Sequence, residues 1–195
     1  MTKLHAHFKI NMMKAILTIL AFSFIFNYIS AQEAGYRTYS SSTKLIAVQG
    51  EESYQWENDD NTVYLNYKTG DIKVRMKNRD FYNPLHPAPL DPDLEQEERE
   101  FVLQGILPIY DMINQKSMNQ QYNIELDLVC DDLRLFETIN FNMTITRPKS
   151  ASANTYRIFS LHGILYNDQL NLPFFEGFNN EIEMYINFNG YFEGN

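Results

Sequence analysis

Residues able to perform acid–base, nucleophilic or metal chemistry are few in this chain. It contains four histidines and a single cysteine, Cys130. Cys130 falls at a core-facing position of a predicted strand, so we expect a buried thiol rather than a reactive one. His86 lies in an acidic, proline-rich stretch, where we expect a solvated loop because a metal site needs converging ligands. His162 falls near a predicted strand end, where we expect a surface or core histidine rather than a catalytic one.

Sequence motifs that carry known chemistry are missing as well. The chain has no Gly-x-Ser-x-Gly, His-Glu-x-x-His or Walker pattern. The segment Glu57–Asn61 is rich in oxygen ligands but lacks the glycine and distal glutamate of an EF-hand loop, so we expect a polar hairpin tip. We therefore predict no catalytic residue, no metal and no cofactor. A close pair or triad among His162, Cys130 and nearby acids in space would instead favour an enzyme.

The charge balance excludes one large class of partner. The 25 acidic residues outnumber the 16 basic ones, giving a formal net charge of −9. A nucleic-acid-binding protein needs a basic face that displaces counterions from phosphate. We therefore expect neither nucleic acid nor an anionic lipid surface as a partner.

The segment Met1–Ala31 is typical of a secretory signal peptide. Three lysines accompany the apolar run Ala15–Phe26, and the small residues Ser30 and Ala31 mark a plausible cleavage point. The apolar run is shorter than the roughly twenty residues that span a bilayer, although an uncleaved anchor remains the alternative. No cysteine lies near the cleavage point that could take a lipid. We expect residues 32–195 to form one domain, periplasmic or secreted, with no stable membrane insertion after cleavage.

Alternation of apolar and polar residues with period two dominates the rest of the chain. This pattern predicts strands with one buried and one wet face. The clear strands are Val63–Tyr67, Ile72–Lys77, Ile124–Cys130, Ile139–Thr146 and Ile182–Asn189, and the weaker ones are Tyr36–Ser40, Thr43–Gln49, Phe101–Tyr110 and Tyr156–Leu165. A sandwich and a closed barrel both fit. We favour an all-β, antiparallel, lipocalin-like β-barrel of about eight strands, because closure removes exposed strand edges.

One long segment, Tyr82–Glu100, interrupts the alternation. Its four prolines exclude a central strand, and its acidic part Asp93–Glu100 predicts a short helix. We predict a crossing loop with a short helical insertion, whose action as a lid over the barrel is left open.

Several of these segments resemble those of one known family. The hairpin Asn61–Ile72, the strand segments Leu103–Ile106 and Tyr122–Leu128, the run Leu161–Ile164 and the final strand Asn180–Met184 follow in the family's order. Together they resemble the YceI-like family of exported, lipocalin-type barrels that bind polyisoprenoid lipids. Leu128–Arg134 departs from the family's Leu-x-Ile-His-Gly-Val-Thr run, which leaves the identity of the ligand open.

The resemblance implies a non-enzymatic barrel whose apolar tunnel holds an isoprenoid quinone or a polyprenyl chain. The implied tunnel residues are Val63, Leu65, Val74, Met76, Leu126, Leu128, Phe141, Met143, Met184, Ile186 and Phe188. The same residues could instead fill a solid interior. In that alternative the protein is an exported structural or interaction module that acts through a polar-aromatic outer surface formed by Tyr64, Asn66, Tyr185, Asn187 and Tyr191.

Overall fold

A computed structural model describes residues 35–37, 40–85, 98–114, 117–147, 156–170 and 172–191 of the chain. The predicted signal segment Met1–Ala31 lies outside the described residues. Two short helices, α1 (Ile109–Asn114) and α2 (Asn167–Leu170), join strands. The described strands are β1 (Gly35–Arg37), β2 (Ser41–Gln49), β3 (Glu52–Asn58), β4 (Thr62–Asn66), β5 (Asp71–Lys77), β6 (Glu100–Ile106), β7 (Asn119–Cys130), β8 (Leu135–Thr146), β9 (Tyr156–Tyr166) and β10 (Glu181–Tyr191).

All ten described strands belong to one sheet in the order β1-β4-β5-β6-β7-β8-β9-β10-β2-β3. Each neighbouring pair is antiparallel. The run from β4 to β10 therefore winds as consecutive neighbours, and the hairpin β2–β3 is added beside the last strand. The sequence had predicted about eight strands, and β3 is the strand that the alternation did not reveal.

The sheet curls so that its far edge returns toward β4 and β5. Glu57 of β3 exchanges two backbone hydrogen bonds of 2.8 Å with Tyr82, which follows β5. The Ser41 hydroxyl donates to the Asn61 carbonyl at 2.7 Å across the same gap. This curled antiparallel sheet is the lipocalin-like β-barrel architecture that the sequence predicts.

The turn after β4 confirms the predicted hairpin and shows that the predicted position of Asn66 is wrong. The Asn66 side-chain oxygen accepts hydrogen bonds from the backbone N–H groups of Lys68 at 2.9 Å and Thr69 at 3.3 Å. Gly70 has a φ of 84°, and a Cβ there would overlap the Leu107 carbonyl. Asn66 was expected on the outer surface, but it is buried because its amide forms this turn.

Strand β6 ends earlier than the alternation indicates. The predicted strand Phe101–Tyr110 stops at Ile106, and helix α1 begins at Ile109. Pro108, which lacks a backbone N–H, stands between them and cannot continue the ladder of hydrogen bonds. Ile109 and Met112 of α1 are buried in the core, so the helix covers part of the interior instead of extending the sheet.

The segment predicted as a crossing loop joins the neighbouring strands β5 and β6, and it is described only at its two ends. Lys77 forms a 2.6 Å ion pair with Glu98, and the backbone N–H of Arg99 donates to the Asn78 side-chain oxygen at 2.8 Å. These contacts hold the end of β5 beside the start of β6. Residues 86–97, with His86 and most of the predicted short helix, lie outside the described residues.

Candidate functional site in the barrel interior

The concave face of the sheet is mainly apolar from β4 to β10. In register, Val63 of β4 faces Val74 of β5, which faces Leu103 of β6 and then Leu128 of β7. The alternation within β5 places Ile72, Val74 and Met76 inside and the charged residues between them outside. All eleven implied tunnel residues named above are at most 3% exposed and belong to this one core. Their contact with a ligand stays a prediction.

Aromatic rings add to the same face where β9 and β10 pair. Phe159 and Phe188 are register partners, and their rings stack with centroids 4.6 Å apart. A Cβ at Gly190 would overlap both the Phe159 ring and the hydroxyl of Tyr67. The glycine is therefore required for the close approach of β10 to the residue that follows β4.

A small polar group interrupts the apolar surface where β2 and β3 approach β5. Thr43 and Asn58 are register partners, and both are fully buried. The Asn61 amide donates to the Thr43 hydroxyl at 2.7 Å, and the hydroxyl lies 3.5 Å from the sulfur of Met76. The Asp60 backbone N–H donates to the Asn58 side-chain oxygen at 2.9 Å. Asn61 Oδ1 is buried and has no hydrogen-bond partner among the described residues.

An aromatic cap, defined as Tyr54, Trp56, Phe174, Phe175 and Phe178, lies further along β3. Trp56 is its centre, with ring centroids 5.2 Å from Phe174, 6.0 Å from Phe175, 5.7 Å from Phe178 and 6.1 Å from Tyr54. The three phenylalanines belong to the segment between α2 and β10, whose Asn179 N–H donates to the Val48 carbonyl at 2.7 Å. Sequence analysis missed this cluster, although the pairing Phe174-Phe175 in a segment without alternation was a signal.

Two arginines mark the other end of the interior. Arg157 shares the inward side of β9 with the buried Phe159, and Arg147 comes directly after β8, two residues beyond the buried Ile145. Burial, followed by the charge of Arg147, lowers the pKa of Arg157, whereas Tyr67 raises it. Arg157 pairs with Gly190, whereas Trp56 is linked through Leu45 to Met184. At about 3.3 Å per residue along β10, these levels are separated by about 20 Å.

The outer face carries a separate cluster around Tyr185. His162 stacks on the Tyr185 ring at 4.5 Å, and its Nε2 lies 3.6 Å from Glu183. The Tyr185 hydroxyl donates to Glu183, and this hydrogen bond raises the pKa of Tyr185. The Lys44 ammonium lies 5.6 Å from the Tyr185 ring centroid. Contrary to the expected position, His162 lies within β9 instead of near its end.

Of the residues considered for catalysis, His162 forms a close pair with Glu183, but Cys130 does not join them. Cys130 is buried on the inner face of β7, whereas His162 lies on the outer face of β9. Within the described ranges, no group of three or more His, Cys, Asp and Glu side chains could hold a metal ion. In the same ranges, no helix is long and apolar enough to cross a membrane.

One solved structure resembles this fold over most of the chain. It is a polyisoprenoid binding domain from Saccharophagus degradans implicated in plant cell wall breakdown, with a TM-score of 0.58 and 6% identity. The match covers 82% of this chain and 99% of that domain. No family model and no curated protein matches the chain. The likeness confirms the YceI-like fold that the strand segments predict.

Proposed function

We propose that this protein is an exported, non-enzymatic carrier that binds an apolar, isoprenoid-type lipid inside its barrel. The observation that carries the proposal is the mainly apolar inner surface, from Val63 around the sheet to Met184. Enclosing a lipid chain there would be favoured by about 25 cal/mol for each Å² of apolar surface removed from water. The similar fold of a polyisoprenoid binding domain supports the ligand class.

The interior has the aromatic cap at one end and two arginines at the other. This arrangement fits an elongated ligand better than a compact one. The aromatic cap and the two arginines, Arg147 and Arg157, are separated by about 20 Å along β10, where the buried apolar side chains of Ile186 and Phe188 lie between them. An isoprenoid quinone or a polyprenyl chain has this form, a long hydrocarbon with a small polar group. The proposal of export is supported by the lysine-rich, apolar segment Met1–Ala31, because this arrangement is what secretion machinery recognises.

The direct test is to identify what the protein carries. Protein purified from its exporting host is extracted with organic solvent, and the extract is analysed by mass spectrometry. We expect a stoichiometric lipid with an isoprenoid chain, and a purified N-terminus that begins after Ala31. A lipid-free protein that also fails to take up an added isoprenoid quinone would contradict the carrier function.

A second candidate function is an interaction module with a solid interior. The stacked rings of Tyr185 and His162 on the outer face favour it, because aromatic side chains are enriched where proteins bind one another. Uptake of an apolar fluorophore separates the two functions. A carrier takes up the fluorophore inside the barrel, whereas a solid module leaves it in solution.

A further inference from the structure

The indole of Trp56 presents a polar donor that no described residue accepts. Trp56 is 3% exposed, and its Nε1 is buried without a hydrogen-bond acceptor among the described residues. The indole N–H can only donate, and a buried indole N–H normally has a partner. A buried donor without an acceptor loses its hydration and gains nothing in return. An acceptor from outside the described chain would remove this cost.

The side chain of Trp56 lies on the inner face of the barrel. Its register partner on β2 is Leu45, whose partner on β10 is the buried Met184. The residues two positions away on β3, Tyr54 and Asn58, share its side of the strand. The unused donor therefore belongs to the same interior that we propose as the lipid site.

We propose that Trp56 Nε1 donates a hydrogen bond to an uncharged carbonyl oxygen of the bound lipid, an inference that rests on the proposed carrier function. Three phenylalanine rings meet the indole at 72° to 79°. Such arrangements present positively polarised ring edges, which attract an oxygen. The aromatic cap thus forms a site for the polar group of the ligand, with the hydrocarbon chain continuing along the barrel toward Gly190.

The surroundings of the aromatic cap favour an uncharged group over an acid. The Tyr54 hydroxyl donates to the Glu52 carboxylate at 2.7 Å, and Glu176 lies in the same segment as Phe175 and Phe178. These negative charges would repel an anionic head group. The arginine pair, which would attract one, lies at the other end of the interior.

A carbonyl fits this position better than a hydroxyl. A hydroxyl can accept from Nε1, but its own proton then needs a second acceptor inside the aromatic cap. A carbonyl has no proton and is satisfied by accepting. The proposal therefore selects esters, ketones, quinones and amides over alcohols and acids.

The single tryptophan makes the test direct, because the chain has one indole N–H resonance. Three probes of equal chain length are compared: methyl palmitate, hexadecane and palmitate. Binding is measured by displacement of the apolar fluorophore N-phenylnaphthylamine, and the indole resonance is followed by ¹⁵N-edited NMR. We expect methyl palmitate to bind about two- to tenfold more tightly than hexadecane, the range for one neutral hydrogen bond. Methyl palmitate alone should shift the indole N–H downfield.

Two variants test whether the preference for methyl palmitate over hexadecane depends on the indole N–H of Trp56. Trp56→Phe keeps a ring but removes the donor, so methyl palmitate and hexadecane should bind equally. The matched control Tyr82→Phe removes an exposed hydroxyl that donates to Asp59 outside the aromatic cap, and it should keep the preference for the ester. If Trp56→Phe fails to fold, the shift of the indole N–H resonance that methyl palmitate causes in the native protein still tests the proposal.

The outcomes separate this inference from the carrier function. Equal binding of methyl palmitate and hexadecane with an unshifted indole would overturn the inference and leave the carrier function intact. Tightest binding of palmitate without an indole shift would also overturn it and would place the head group near the arginines. Failure of all three probes to displace the fluorophore would overturn both proposals.

Discussion

The ring of Phe141 occupies the space that a side chain at Gly163 would need. The two residues are register partners on β8 and β9. A Cβ built at Gly163 would lie 2.7 Å from the Phe141 ring and 3.1 Å from the Asn140 carbonyl. The aromatic side chain thus covers a glycine across the strand pair, and the inner surface remains closed where one residue contributes no side chain.

The first prediction follows from that contact. Gly163→Ala forces the Phe141 ring away from the strand, and overpacking of this kind costs about 1–3 kcal/mol of unfolding free energy. Urea denaturation measures the loss. The double variant Gly163→Ala, Phe141→Leu should recover part of it, because the smaller side chain makes room. A fully additive double variant would show that the two residues are not coupled.

A second prediction uses Val74 at the middle of the inner surface, where it is fully buried. If the interior holds a lipid, the ring of Val74→Phe extends into the lipid's space, and lipid uptake falls while the fold is kept. Lys73→Phe, on the exposed outer side of the same strand, is the matched control and should leave uptake unchanged. Destabilisation of Val74→Phe by about 1–3 kcal/mol, together with no fluorophore uptake by the native protein, would indicate a packed interior.

A third prediction concerns the buried hydroxyl of Thr43. Thr43→Val removes the acceptor of the Asn61 amide, so we expect a loss of about 1–3 kcal/mol in unfolding free energy. Thr43→Ser keeps the oxygen and should lose less. Thermal or urea unfolding distinguishes the two variants. Equal stability of Thr43→Val and the native protein would mean that this polar group contributes no net stabilisation.

A fourth prediction concerns pH and the exposed ion pair at the end of β5. The hydrogen bond from Lys77, and then its charge, lower the pKa of Glu98, whereas the same contact raises the pKa of Lys77. The contribution of Glu98 to stability is therefore present above the ordinary pKa of a glutamate and is lost as pH falls through the lowered value. The contribution of Lys77 is lost as pH rises through its raised value.

Carboxyl NMR titration checks this pair. Lys77→Met should raise the pKa of Glu98 toward its ordinary value, and Lys73→Met on the same strand should leave it unchanged. High salt should weaken the shift, because both side chains are about half exposed. An unchanged Glu98 pKa in Lys77→Met would contradict the assigned partner.

A fifth prediction tests burial of the one thiol. Cys130 is 1% exposed on the inner face of β7, so a thiol reagent should modify it only when the protein opens. The rate in native buffer should be far below the rate in denaturant. Leu135→Ala, which removes the register partner of Cys130, should increase the native rate. Immediate modification in native buffer would contradict the described position.

Local alternation predicts the strands well where every second residue is apolar. In β5, Ile72, Val74 and Met76 are buried between exposed charges, as the pattern requires. β3 does not show this alternation because its inward residues Tyr54, Trp56 and Asn58 include two polar side chains and the residue between Trp56 and Asn58 is an acid, Glu57. The sequence alone does not show that the polar Asn58 faces inward. This follows from its pairing with the buried Thr43 on β2.

The candidate site likewise has one part that the sequence predicts and one part that it does not. The apolar inner surface is predictable, because burial follows from parity along each strand. The aromatic cap is not, because Trp56 meets Phe174, Phe175 and Phe178 only after β3 pairs with β2 and β2 pairs with β10. No local pattern joins residues so distant in the chain. Asn66 is a third case, since its burial depends on the turn that its amide forms.

The position of β2 beside β10 sets the order in which the chain can fold. β2 is made early, but one of its two partners is the last strand. The neighbours from β4 to β10 can pair as each one emerges, whereas β2 must remain unpaired on that side until β10 has been made. Because pairing between distant segments is slow, closure of this strand pair is the expected late step. Trp56 lies on β3, which pairs with β2, so its fluorescence can report that step.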